Sequence, residues 1–186
     1  MSAGAARGHL ELSLRRIEQL FNSMDPAPFA ERDLDTHAER YLVDWARELP
    51  RDSALSLSLH LSEAPAHAEG WIETSVHRYF VERERGKRGE LRALLRQGRI
   101  SLLIGLSFLG LCLYISQWMT HGGEAGIASG LLRESFTVAG WVAMWRPMQT
   151  YLYDWWPLRA EAQLYRRMSR MPVRVVLSRP ASADAA

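Results

Sequence analysis

The sequence predicts an α+β membrane protein, with a two-helix transmembrane hairpin joined to a small cytoplasmic α+β domain of about three strands built from both flanking segments. Three observations carry that prediction. Ile100 to Met119 is a run of twenty residues without a charge, and nothing similar precedes it. Three other segments alternate apolar and polar residues as half-buried strands do. Basic residues crowd both outer flanks of the apolar region, while the loop inside it, His121 to Gly130, has none.

The apolar run, ISLLIGLSFLGLCLYISQWM, rises about 30 Å as a helix, which matches the hydrocarbon thickness. Trp118 near its far end suits an interfacial anchor. Cys112, the single cysteine, lies inside it and reads as a small packing residue. After the Gly-rich loop a second apolar segment runs from Leu131 to Trp156. It is less clean, because Arg133 and Glu134 sit near its start and Arg146, Pro147 and Asp154 lie further on. Only eleven uncharged residues separate Glu134 from Arg146, about 17 Å of helix and too short to span alone. The charge distribution argues for a crossing nonetheless, with a single helix and a re-entrant second segment as the alternative. Arg83, Arg85, Lys87, Arg88, Arg92, Arg96 and Arg99 precede the first helix, and Arg159, Arg166, Arg167 and Arg170 follow the second. The positive-inside bias puts both collars, and so both termini, in the cytoplasm. No signal peptide is visible at the start. The preference for Arg over Lys, with many Ala, points to a bacterial genome, and the expected location is the bacterial inner membrane with two passes.

Residues 1–80 carry eight Arg against thirteen Asp and Glu, so the expected soluble head is acidic. An acidic head with basic collars beside apolar segments points to the anionic inner leaflet, not to nucleic acid, as the collars' partner. In the head, Leu10, Leu12 and Leu14 alternate with polar residues, although Leu10, Leu14, Ile17 and Phe21 also fit a helical face. Leu55, Leu57, Leu59 and Leu61 alternate most clearly, and Val173, Val175 and Leu177 form the third set. A helix is predicted from Thr36 to Leu49, with Ala38, Tyr41, Leu42, Trp45 and Leu49 on one stripe. Thr36 and Glu39 have capping-box spacing, Asp33 and Asp35 favour the positive helix end, and Pro50 marks the stop. A second helix is expected from about Ala66, burying Trp71, Ile72, Val76, Tyr79 and Phe80 and open to interruption at Gly86 and Gly89. A last one runs from Leu158 to Arg170. The expected divisions are an N-terminal domain over 1–85, a basic juxtamembrane helix over 86–99, spans over 100–119 and 131–156 around a loop over 120–130, and a cytoplasmic helix, strand and disordered tail over 157–186.

Two stretches, LFNSMDPAPFAERDLDTHAERYLVDWARELP (20–50) and AGWVAMWRPMQTYLYDWWPL (139–158), resemble an uncharacterised bacterial family of small two-helix integral membrane proteins. The resemblance implies the same architecture and adds no reaction, cofactor or partner.

Few residues offer chemistry. Phe21 to Asp35 presents Asn22, Asp25, Glu31, Asp33 and Asp35 on a Pro-containing loop, which a divalent metal or a basic partner could use. Turn and cap chemistry explains the same residues more simply, and the spacing does not match a calcium loop. The six histidines form no HxxxH or HExxH pattern. No Ser sits in a nucleophile elbow and no Gly-rich loop joins a strand to a helix. No catalytic residue, cofactor or metal is therefore expected. His60 with Asp44 or Ser58 makes a catalytic set only on paper. Arg146 at membrane depth is costly, about 2.5–3.5 kcal/mol, and needs a partner or an exit. A helix break at Pro147 that brings it to the surface is the favoured solution, ahead of a lipid phosphate or another subunit. Trp141 and Trp145 share a face beside the small pair Ala139 and Ala143, which suits close helix packing near Gly105 or in a second subunit. Trp155 and Trp156 mark the inner interface.

The expected function is non-enzymatic: an integral membrane protein whose cytoplasmic head binds a protein partner or self-associates. Asn22, Asp25, Asp33, Asp35, Glu134, Arg146, Trp141 and Trp145 are the candidate interaction or packing residues. A small homo-oligomeric channel or transport accessory, using Glu134 and Arg146, is the alternative. A membrane-bound enzyme using the loop carboxylates ranks third.

Overall fold

The computed structural model describes residues 8–28, 31–63, 68–121 and 127–177. The expected helix start at Ala66, the middle of the loop at 122–126 and the tail beyond 177 lie outside the described residues. Three strands, β1 (Gly8–Arg16), β2 (Leu55–Glu63) and β3 (Val173–Leu177), form one sheet in the order β1-β2-β3. Both pairings are parallel, with Leu10 opposite Leu57 and Leu57 opposite Val173. The helices are α1 (Thr36–Glu48), α2 (Ala68–His121), α3 (Ile127–Ala143), α4 (Trp145–Gln149) and α5 (Trp155–Met168), with a π-turn at Thr150–Asp154 before α5. Residues 1–86 and 161–186 make one compact unit, the head, and 87–160 make the other.

In the head, the period-2 pattern sends Leu10, Leu55, Leu57, Leu59, Leu61 and Val173 to one face of the sheet, where all are buried. Against that face α1 buries Ala38, Leu42, Val43 and Ala46. Ile72, Val76, Tyr79 and Phe80 of α2 and Ala162, Leu164, Tyr165 and Met168 of α5 complete the core. Strands and helices alternate along the chain, which is the α/β order that yields a parallel sheet, so the expected α+β layer is corrected to a parallel βαβ arrangement. The first alternating segment is a strand to Arg16. The chain then turns through Ile17–Gln19, with Ile17, Leu20 and Phe21 buried.

The cap of α1 also differs from expectation. Asp35, not Thr36, is the N-cap, and its carboxylate accepts from the amides of His37 and Ala38. Thr36 is already helical, and Glu39 is drawn away to Tyr79 and Arg83. α2 runs without interruption through Gly86 and Gly89, because nothing packs close to either glycine that would bend it.

The second unit overturns the expected two-helix transmembrane hairpin. Among the described residues one helix alone is long and apolar enough to cross a membrane, over Gly70–Trp118. Only 17% of its most apolar window is buried inside the protein, whereas the core helix of a soluble domain would be mostly covered. Leu103, Ile104, Leu111, Tyr114 and Trp118 all face outward. The return segment is no single span. It is divided at Met144 between α3 and α4, and divided again by the π-turn. The cause is local. Pro147 has no amide to continue the ladder of α3. Thr150, where the π-turn begins, sends its hydroxyl to the carbonyl of Arg146 and shares its amide between the carbonyls of Arg146 and Pro147. What holds this segment to α2 is a seam of small residues seven apart, Gly98, Gly105 and Cys112. A Cβ on Gly105 would lie 3.2 Å from the carbonyl oxygen of Ala143, and one on Gly140 2.7 Å from Leu109 Cδ1. The partner face therefore runs through Gly140, Ala143 and Pro147. Ala139, expected beside Ala143 on it, is exposed.

Candidate interaction surface of the head

Every helix of the head packs on the leucine face, so the sheet's other face has no helix among the described residues. It is formed by His9, Glu11 and Ser13 of β1, Ser56, Ser58 and His60 of β2, and Arg174 and Val176 of β3. The register aligns them in rows: His9 with Ser56, Glu11 with Ser58 and Arg174, and Ser13 with His60 and Val176. His9, Glu11, Ser13, Arg174 and Val176 are exposed, Ser56 and His60 are half-buried, and the central Ser58, in register between Glu11 and Arg174, is buried. This is unusual, since purely parallel sheets normally have both faces covered. Period 2 explains the composition: the polar member of each alternating pair must fall on the face opposite the leucines.

Two short contacts order the face. His9 Nδ1 lies 3.0 Å from Ser56 Oγ, and His9 Nε2 lies 3.3 Å from Glu11 Oε1. Beside them His9, Ser56, Ser58, Pro172 and Arg174 line a cleft of about 530 Å³. A hydroxyl, an imidazole and a carboxylate in sequence have the order of a nucleophile, its base and the base's orienting acid. Acyl transfer also needs donors aimed at the developing oxyanion in a site that excludes water. Here the imidazole and carboxylate are about half exposed, at 48% and 56%. The His9–Ser56 contact fixes side chains across β1 and β2, as cross-strand pairs do, and the His9–Glu11 contact runs along β1.

The carboxylate loop has a different use from ligand binding. Asp25 accepts from the amides of Ala27 and Asp33, both at 2.9 Å, and these bonds hold its carboxyl below the ordinary carboxylate value. Asn22 Oδ1 accepts from the Met24 amide at 2.9 Å, an Asx-turn. The Asn22 amide donates to the Asp33 carbonyl, and the Asp35 amide to that of Leu20. Asn22, Asp25 and Asp35 thus spend their oxygens on backbone donors, and Asp33 contributes its main chain and an exposed side chain. Among the described residues no three His, Cys, Asp or Glu side chains gather as metal ligands.

One polar cluster was not anticipated from the sequence. Tyr79 donates to Glu39 at 2.7 Å, and Arg83 reaches both Glu39 (2.6 Å) and the Tyr79 hydroxyl. Burial first, and then the Glu39 carboxylate, push the Tyr79 phenol well above its ordinary range. The cluster ties α1 to α2. Its signal was the i,i+4 pair Tyr79 and Arg83, but the partner Glu39 is forty residues away. Arg167 plays a similar part for the turn after α1, donating to the carbonyls of Pro50 and Ser53.

The remaining candidates lie in the second unit. Glu134, Trp141, Trp145 and Arg146 are all exposed, so Trp141 and Trp145 point away from the α2 seam. No family model, curated protein or solved structure matches the chain, so no family is identified for the stretches 20–50 and 139–158. Fold and surface together define a class only: a small parallel α/β head on a chain with one membrane-competent helix.

Proposed function

We propose that this is a non-enzymatic integral protein of the bacterial inner membrane, anchored through α2, whose head faces the cytoplasm and binds protein through the uncovered face of its sheet. The observation that carries the reading is that face, on which no helix of the head packs among the described residues, on a sheet type normally covered on both sides. The orientation is supported by the Lys and Arg residues at 83–99 beside the apolar run of α2, which favour the cytoplasmic side and anionic lipid. A second reading, a homo-oligomeric channel, is favoured by one observation. Glu134 and Arg146 stand exposed among outward apolar side chains of the same unit, and charged groups so placed need partners that a shared lumen would supply.

The test of the first reading uses two single cysteines in a Cys112→Ser background. Ser13→Cys lies on this face, and Ser23→Cys on the loop is also at an exposed position. In native membranes made permeable to the reagent, a maleimide is expected to label Ser23→Cys readily and Ser13→Cys at least severalfold more slowly. Equal labelling of the two sites would falsify the assignment of this face to a partner. Native mass spectrometry in nanodiscs addresses the second reading, since a monomer removes the channel.

A further inference from the structure

The partner can be specified further from the charges on the face. One row crosses all three strands, Glu11–Ser58–Arg174, with the small Ser58 in the middle. Neighbouring strands are about 4.8 Å apart, so the acid and the base lie on opposite sides of the central strand, roughly 10 Å from each other along the backbone. Glu11 contacts His9 on its own strand, and Arg174 forms no ion pair among the described residues. Consider a second copy laid face to face, related by a twofold axis running along β2. That operation exchanges the β1 side for the β3 side while keeping the strands aligned. Glu11 of each copy then lies over Arg174 of the other, and the β2 residues meet their own counterparts. Turning the twofold axis across the strands instead would stack Glu11 on Glu11 and Arg174 on Arg174. The charge pattern is therefore self-complementary in one orientation and repulsive in the other, as an isologous interface requires.

The size of the side chains agrees with this. On the central strand Ser56 and Ser58 are small and His60 is the one larger side chain, so around the Glu11–Ser58–Arg174 row two sheets can approach to the ordinary sandwich spacing of about 10 Å. Both copies would then have a parallel sheet covered on each side, which removes the anomaly that singled out the face.

We infer that the uncovered face is a symmetric homodimer interface in which Glu11 pairs with Arg174 of the second copy across a twofold axis along β2. The inference rests on the interaction reading above and names the partner within it. Three strands make a patch smaller than the about 800 Å² per partner of a standard interface, so free heads associate weakly. Anchoring both copies in one membrane supplies the missing effective concentration.

The experiment cross-links the full-length chain in its membrane. In the Cys112→Ser background, Ser58→Cys places one thiol per copy at the axis, and exposure to a short bis-maleimide prolonged enough to offset the slower labelling of a covered face is expected to give a covalent dimer. Adding Glu11→Arg or Arg174→Glu sets like charges against each other and is expected to lower the dimer yield about tenfold or more. Combining the two reversals restores opposite charges across the axis and is expected to recover most of the yield. This recovery separates charge pairing from simple damage to the head. Single reversals that cross-link like the parent, or a double reversal that stays monomeric, overturn the inference. If no dimer forms while Ser13→Cys remains protected in membranes, the second copy is excluded as partner but the interaction surface stands. If Ser13→Cys is labelled freely as well, both readings fall together.

Discussion

Asp35 shares one carboxylate oxygen between two amides at the start of α1, so its loss strands both donors. Asp35→Ala is expected to cost about 1 kcal/mol, visible as a lower midpoint of thermal or denaturant unfolding of the purified protein. Thr36→Ala, one residue on, is expected to change stability by only a few tenths of a kcal/mol, because alanine suits the first helical turn. Equal losses from the two variants would return the cap to Thr36. Asp25 gives a prediction in pH. The Asp33 amide, then the Ala27 amide, favour its ionised form, and partial burial opposes them. A carboxyl whose folded pKa is depressed contributes its full stability above the unfolded value of about 3.9. That contribution disappears as pH falls through the lower folded value. Hydrogen-exchange protection of the Ala27 and Asp33 amides is therefore expected to hold at neutral pH and to decline below about pH 4. Asp25→Asn should lose that decline, and a variant that keeps it would assign the acid sensitivity to another group. The sequence showed these residues as turn and cap formers, but not which oxygen meets which amide. Thr36 and Glu39 fit the capping pattern equally well until Tyr79 and Arg83 claim Glu39.

At the scale of elements, legibility followed period. The leucine alternation of β2 and the stripe of α1 are local signals, and each produced an element where the pattern lies. The direction of the strands was less visible, since parallel pairing is decided by helices between the strands and not by residues within them. The uncovered face was written in the same alternation as His9, Glu11 and Ser13 with Ser56, Ser58 and His60. Its bareness depends on where three distant helices pack, which no single segment records. The return segment went wrong for a clear reason. Its composition averages to an apolar stretch, while Pro147 and Thr150 break the backbone continuity that a single span needs. The heptad of Gly98, Gly105 and Cys112 was present to be read, but it starts in the basic stretch, between Gln97 and Arg99, and continues among the apolar and small residues of the uncharged run. It carries the third prediction. Gly105→Leu pushes side-chain atoms against the Ala143 carbonyl and Pro147, and is expected to destabilise the protein by about 1–3 kcal/mol in thermal unfolding. Gly110→Leu, five residues further along the same helix, meets open space and is expected to be neutral. Equal effects from both would mean the seam is not where α2 and the return segment pack.

For the whole molecule the proposed orientation draws on where the charges lie and not on the formal net charge of +2. Thirteen acidic residues lie in the first eighty, and seven basic ones stand in the seventeen residues ahead of the apolar run. On α2 this gives a charged stretch that continues as one helix into the span, so the basic side chains are held at a fixed distance from Ile100. Arg92 and Arg96 flank Gly89, Ala93, Gln97, Ile100 and Ser101 around a shallow cleft of about 610 Å³ in the second unit. Two guanidiniums one helical turn apart, next to small and polar side chains, suit the phosphate of a lipid headgroup, which guanidinium binds through paired hydrogen bonds. Each basic residue near an anionic surface contributes about 1 kcal/mol, and salt screens that term. In nanodiscs, replacing zwitterionic lipid by phosphatidylglycerol is expected to raise the unfolding temperature of the parent protein, and high salt to reduce the gain. Arg92→Gln with Arg96→Gln is expected to reduce the lipid dependence by at least the share of two among these seven basic residues, while leaving the value in zwitterionic lipid nearly unchanged. That second condition matters, because it separates a lost headgroup contact from a weakened helix. A double variant that responds to phosphatidylglycerol as the parent does would move the lipid contact to the other basic collar, at Arg159, Arg166 and Arg170.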